Sequence, residues 1–224
     1  MCIRDRAHVG RVYGATWNGD ESLILTWSRD GTAKVWAAGE EQPRRTLAHN
    51  DEVNGATWNG DESLILIWGA DGTAKVWAVG EEQPRRTLAH GDWVAGATWN
   101  RDESLILTWS QDGTARVWDA NSGREVARLE PDGTGVTSAQ WNAAEDRVLV
   151  TTWGGLAVVY PVAWPELLDL ACRQLPMNIA AAGWTRFLPD QPYRCTCADL
   201  PPGLGVLDSN LAIDAASCPL AAGE

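Results

Sequence analysis

The sequence predicts an all-β fold built from repeated four-stranded antiparallel units, and three observations predict it. His8, His49 and His90 are 41 residues apart, as are Trp36, Trp77 and Trp118, and residues 8–48 match 49–89 at 33 of 41 positions. Apolar residues alternate over short runs, the pattern of half-buried strands. Polar turn clusters separate those runs at corresponding places in each unit. A period of 40–45 residues ending in an aromatic points to the blades of a β-propeller.

The first unit spans residues 8–48. Val12–Trp17 is a strand with alternating bulky positions, followed by the turn Asn18-Gly-Asp-Glu21, where Gly19 is available for positive φ. Ser22–Trp27 is the second strand, and Asp30-Gly31 the hairpin signal that ends it. Thr32–Trp36 is the third, with period-two alternation. After the polar stretch 39–43, Arg44–Leu47 is a lesser fourth strand, with Pro43 tolerable because an outer strand has an unpaired edge. Residues 49–89 and 90–131 repeat this order. A worn fourth copy covers 132–160, with strands at 136–141 and 148–152 and Tyr160 in the place of the closing Trp. Trp17, Trp58, Trp99 and Trp141 end first strands and Trp27, Trp68 and Trp109 lie in second strands, so most are expected to fill the space between packed sheets.

This pattern resembles the WD40 repeats. In that family a histidine before the first strand, a hydroxyl in the second, an Asp in the following turn and a Trp in the third form a hydrogen-bonded relay. The resemblance implies such a relay for His8, Thr26, Asp30 and Trp36, and for His90, Thr108, Asp112 and Trp118. The second unit keeps His49, Asp71 and Trp77 but has Ile67 at the hydroxyl position, so this blade is expected to be the softer one. In the fourth unit Asp132 stands at the histidine position, Gly154-Gly155 replaces the turn with Asp, and Thr151 is read as the last relay member. One histidine per blade, at corresponding positions, is a poor metal or catalytic site.

Three full units and part of a fourth are few for a closed propeller, which commonly has four to eight blades. Met1–Arg6 reads MCIRDR and resembles a translated sequencing adapter. Residues 1–7 are therefore expected to be non-native or disordered, and the chain to be a fragment from the C-terminal part of a longer propeller. Two arcs joined into a ring and a four-blade ring are the alternatives. Residues 161–224 lack the period. Pro165 with Glu166–Leu175 predicts a helix, with a second around 179–188. The segment 167–202 resembles the tail that follows WD40 arrays in bacterial signalling proteins, which often carry NTPase, TIR-like, caspase-like or kinase domains.

Composition narrows the function. Thirty acidic against 18 basic residues give a net charge of -12, with no sustained basic field for nucleic acid. No run of 18 apolar residues crosses a membrane. The five Cys, at 2, 172, 195, 197 and 218, do not make a disulfide framework, and Cys195 and Cys197 lack further zinc ligands nearby. Reduced thiols suggest a cytoplasmic protein. No P-loop, HExxH or GxSxG motif occurs.

Variation between the repeats is the functional signal. Most of the eight differences between the first two units lie beside the first strand or in the turn after the second, including Arg11/Glu52, Tyr13/Asn54 and Arg29/Ala70. The third unit varies at the same places, with Trp93, Ala95 and Gln111. In a propeller these turns open on one face, where a loop Trp is a strong anchor for a partner; the rival reading has Trp93 packing on the next blade. Arg11, Tyr13, Arg29, Glu52, Asn54, Trp93 and Gln111 form the expected recognition surface. Acidity increases after the first unit, which fits a basic partner and equally fits solvation alone.

The sequence thus predicts a non-catalytic scaffold or sensor segment of a larger signalling protein, with no cofactor and no metal. Its partner is a protein or another domain of the full-length chain. A self-assembling propeller unit, homo-oligomeric if the ring closes between chains, is the alternative, and a propeller hydrolase a distant one.

Overall fold

The computed structural model describes residues 8–162. The chain divides into Met1–Tyr160 and Pro161–Glu224, and the strands belong to the first unit, with the last ending on Pro161. The expected start at 1–7 and the tail helices near 165–175 and 179–188 lie outside the described residues.

Among the described residues the fold is all-β. Blade 1 comprises β1 (Val12–Trp17), β2 (Leu23–Ser28), β3 (Thr32–Ala37) and β4 (Arg45–Ala48). Blade 2 comprises β5 (Val53–Trp58), β6 (Leu64–Gly69), β7 (Thr73–Ala78) and β8 (Arg86–Ala89). Blade 3 comprises β9 (Val94–Trp99), β10 (Leu105–Ser110), β11 (Ala115–Asp119) and β12 (Glu125–Leu129). Blade 4 has β13 (Val136–Trp141), β14 (Arg147–Thr152) and β15 (Ala157–Pro161). Each sheet is an antiparallel meander in sequence order, the arrangement that short turns between consecutive strands dictate.

Period-two alternation gives every blade two apolar faces, and consecutive blades join them. The trailing face of blade 1 (Leu25, Ala33, Val35, Leu47) packs on the leading face of blade 2 (Val53, Ala56, Ile65, Ile67, Trp77), with Trp27 and Trp58 beside it. Blade 2 offers Leu66, Ala74, Val76 and Leu88 to Val94, Ala97, Ile106 and Trp118 of blade 3, with Trp68 and Trp99 in the same layer. The expected Trp filling therefore holds at these positions. Trp17 is the exception: no preceding blade lies against it among the described residues, and it is exposed.

Two backbone devices recur. The first-to-second strand pairing slips by one residue in every blade, leaving Tyr13, Asn54, Ala95 and Thr137 as bulge residues. The turn after each first strand holds a non-glycine residue in the left-handed region, namely Glu21, Glu62, Glu103 and Glu145, with φ from 59° to 62°. This corrects the expectation for Gly19, which is absent from the positive-φ residues. Its lack of a side chain serves a close approach instead, because Glu62 bonds its backbone amide and a Cβ there would meet that carboxylate at 2.8 Å.

Candidate functional site

The relay assembles in blades 1 and 3. His8 Nε2 lies 2.8 Å from Thr26 Oγ1, its Nδ1 lies 2.9 Å from Asp30 Oδ2, and Trp36 Nε1 donates to Thr26 Oγ1 at 2.9 Å. Blade 3 repeats the geometry: His90 to Thr108 at 2.7 Å, His90 to Asp112 at 3.1 Å, and Trp118 to Thr108 at 2.8 Å. Burial lowers the pKa of all three histidines, to about 4 for His49 and His90, outweighing the opposing pull of the neighbouring aspartates. With the ring neutral, Nδ1–H donates to the carboxylate and Nε2 accepts from the threonine hydroxyl, which accepts from the indole. Burial alone would raise the Asp30 carboxyl, but bonds from Thr32 and the Val9 amide, with His8 alongside, hold it down to about 2. The arrangement ties the segment before the first strand and the turn after the second to the third strand.

Blade 2 breaks the chain where Ile67 stands. His49 Nε2 and Trp77 Nε1 are buried without a hydrogen-bond partner. His49 Nδ1 is 3.0 Å from Asp71 Oδ2, an ion-pair distance, but without the alignment of a hydrogen bond.

Blade 4 carries a correction. Strand register pairs Ala139 with Val150 where Ala15 pairs with Thr26, so Val150, and not Thr151, occupies the hydroxyl position. Thr151 stands instead where the other blades have Trp27, Trp68 and Trp109. Those rings lie over Gly14, Gly55 and Gly96, and any Cβ on these glycines would fall inside the indole. Blade 4 changes both partners together, to Ser138 and Thr151. Asp132, at the histidine position, bonds Thr152 at 2.7 Å and Thr134 at 2.8 Å.

The variable residues converge on one rim. In each blade the residue before the first strand accepts, through its backbone carbonyl, from the residue after the second: Arg11 with Arg29, Glu52 with Ala70, Trp93 with Gln111, and Gly135 with Trp153. The bulge re-aims Tyr13, Asn54, Ala95 and Thr137 beside these pairs. Neighbouring blades are stitched there. Glu52 accepts from Tyr13 at 2.5 Å and Arg29 at 2.7 Å, Arg11 sits over the Tyr13 ring, and Asn54 donates to the Val94 carbonyl at 3.1 Å.

Trp93 is 57% exposed and Trp153 70% exposed, both large apolar surfaces left in water. The rival reading of Trp93 as packed on the next blade does not hold. Trp153 escaped the sequence reading although the signal was there: it follows the second strand as Arg29, Ala70 and Gln111 do. The Gln111 amide lies beside the Trp153 indole, since a Cβ on Gly135 would meet both, and the Gln111 backbone amide donates to the Trp93 carbonyl. The three histidines remain in separate blades. Among the described residues no three His, Cys, Asp or Glu side chains gather as metal ligands.

The WD40 family model (WD domain, G-beta repeat) matches residues 2–37, 41–78 and 82–119, together half of the chain, and each match ends one residue past Trp36, Trp77 or Trp118. The chain belongs to the WD40 repeat family. No curated protein matches it. WD40 repeats generally mediate protein–protein interaction, so the exposed rim, rather than the buried relay, is the place to look for a partner.

Proposed function

We propose that the chain is a non-catalytic recognition segment whose variable rim binds a protein, or another domain of a larger cytoplasmic signalling protein in which it serves as scaffold or sensor. One observation carries this reading. Blades 1 and 2 are nearly identical, and six of their eight differences are gathered on one rim, where Trp93 and Trp153 are exposed. On the opposite rim the exposed Glu40–Gln42 and Glu81–Gln83 loops are the same in blades 1 and 2, and Ala38/Val79 is the one exposed difference there. Drift would have marked them as readily. Two exposed indoles on one rim suit a buried anchor contact with a protein, since Trp is among the residues that dominate binding energy.

Site-specific photo-cross-linking tests this. A benzoylphenylalanine probe at Trp93 is expected to trap a discrete partner from the source cells, while the same probe at Gln83 on the opposite rim traps none. Equal labelling at both positions, or labelling at Gln83 alone, overturns the assignment.

A further inference from the structure

The first two joints between blades share one backbone frame on the variable rim. A Cβ on Gly31 would meet the His49 and Asp51 carbonyls at 3.3 and 3.4 Å, and a Cβ on Gly72 would meet the His90 and Asp92 carbonyls at 3.2 and 3.4 Å. In both, the turn after the second strand of one blade lies against the segment that enters the next. The side chains set on this frame differ from joint to joint. Between blades 1 and 2, Arg29 Nε reaches Glu52 Oε1 at 2.7 Å, and Arg11 lies over the Tyr13 ring. The Arg29 side chain is 65% exposed, so its place on the rim opens to solvent. Between blades 3 and 4, the Gln111 side chain takes the corresponding place against Gly135.

The joint between blades 2 and 3 is set differently. Ala70 stands where blade 1 has Arg29 and cannot reach across, and Trp93 stands where blade 2 has Glu52. Both blades have a neighbour on either side, yet Trp93 is 57% exposed, so its exposure belongs to the joint itself. Asp92 Oδ1 accepts from the Trp93 amide at 2.7 Å, and its other oxygen accepts no hydrogen bond among the described residues. The rim segments 49–54, 69–73, 90–95 and 110–114 contain five carboxylates and no lysine or arginine. Glu52, Asp71 and Asp112 pair with Arg29, Lys75 and Arg116 from elsewhere. Asp51 and Asp92, both exposed, make no ion pair among the described residues and set a negative potential around the indole.

We propose that the joint between blades 2 and 3 is a socket for an arginine side chain of a protein partner. The guanidinium enters beside Ala70, in the place that Arg29 occupies one joint earlier, lies on the face of the Trp93 indole and donates to Asp92. An indole face attracts a cation through its quadrupole, and a carboxylate beside it pairs with the same charge. A planar guanidinium does both at once, stacking on the ring while its edge donates to the oxygens. An ammonium is a compact point charge without such a plane. The chain itself makes both contacts one joint earlier, with Arg11 on Tyr13 and Arg29 on Glu52. Between blades 2 and 3 it supplies the aromatic and acidic halves alone. This inference rests on the reading of the rim as a protein-binding surface and adds the side chain that the rim selects.

Selection of a displayed random-peptide library on the full 224-residue chain tests the socket. Peptides eluted from the parent chain are expected to be enriched in arginine about fivefold over the unselected library, and to lose binding in Trp93→Ala. Ala70→Arg sets the chain's own arginine on a frame that already carries one in blade 1. It is expected to weaken the selected peptides roughly tenfold at an unchanged melting temperature. Asp92→Asn, whose amide oxygen still accepts from the Trp93 amide, is expected to weaken them severalfold and serves if Ala70→Arg misfolds. Peptides that depend on Trp93 without an excess of arginine, or with lysine enriched as strongly, overturn the socket and leave the recognition reading standing. Arginine-rich peptides indifferent to Trp93→Ala, Ala70→Arg and Asp92→Asn overturn it as binding to acidity alone. Selection of no peptide that depends on Trp93 also overturns it. If the photo-probe at Trp93 then traps no partner either, the recognition reading falls with it.

Discussion

Ile67 illustrates how a single side chain sets the balance within a blade. Its methyls fill the space of a hydroxyl, so they bury well, but they leave His49 Nε2 and Trp77 Nε1 without partners. An unpaired buried polar group costs about 1–3 kcal/mol. Ile67→Thr is therefore expected to raise stability by about 1–2 kcal/mol in denaturant unfolding, and Thr108→Ile to lower it by about 1–3 kcal/mol. A neutral effect of both would mean that the relay contributes little. The histidines also set a pH dependence. Their folded pKa, about 4 for His49 and His90, lies below the unfolded value of 6.5, so the unfolded chain binds more protons between these values. Stability from this source is full above about pH 6.5 and is lost as pH falls towards 4. Asp30, depressed to about 2, adds a loss of the same sign below its ordinary 3.8. Melting temperature is expected to climb from pH 4 to 7, with a shallower climb in His90→Gln. The relay positions were legible in the sequence because the 41-residue spacing fixes them. Thr151 was misread because a hydroxyl in the second strand looks alike one residue either way, and only the register around the bulge distinguishes it from Val150.

At the scale of the blade, strands and turns were legible to within a residue, since alternation and Asp-Gly turns act locally. The bulge at Tyr13, Asn54, Ala95 and Thr137 was not, because an extra residue in one strand leaves no mark in composition; only the variability of that position hinted at it. Nor was the left-handed glutamate, because Gly19 offered the easier backbone. The same turn sets it in all four blades, the glutamate amide donating to the asparagine carbonyl three residues earlier. The Gly–Trp pairing is a further property of the element. Gly55→Ser drives a side chain into the Trp68 ring and is expected to cost about 1–3 kcal/mol. The double change Gly55→Ser with Trp68→Thr copies the Ser138–Thr151 pair of blade 4. It is expected to cost clearly less than the sum of its parts, in a double-mutant cycle by thermal unfolding. Additive losses would show that the two positions are uncoupled.

Across the whole array, each blade contacts its sequence neighbours through the same pair of faces, so stability is distributed as in other repeat proteins, by blade and by joint. Amides of β1, where Val12 and Trp17 are exposed on the leading face, are expected to exchange faster than those of β5 and β9. Equal protection would contradict the open face. The family and the blade architecture were readable because a repeat states its own period. The rim was only partly readable: Arg11, Tyr13, Arg29, Glu52, Asn54, Trp93 and Gln111 emerged as differences between near-identical units, while Trp153 was hidden in the most diverged one. Under the proposed function, framework and recognition are separate in this molecule, and Trp93 and Trp153 serve recognition. The most direct test is the yield of partner trapped by a photo-probe at Gln111, in the parent chain and in Trp93→Ala/Trp153→Ala chain of matched melting temperature. A yield falling at least tenfold in the double variant is predicted. An undiminished yield would contradict the claim.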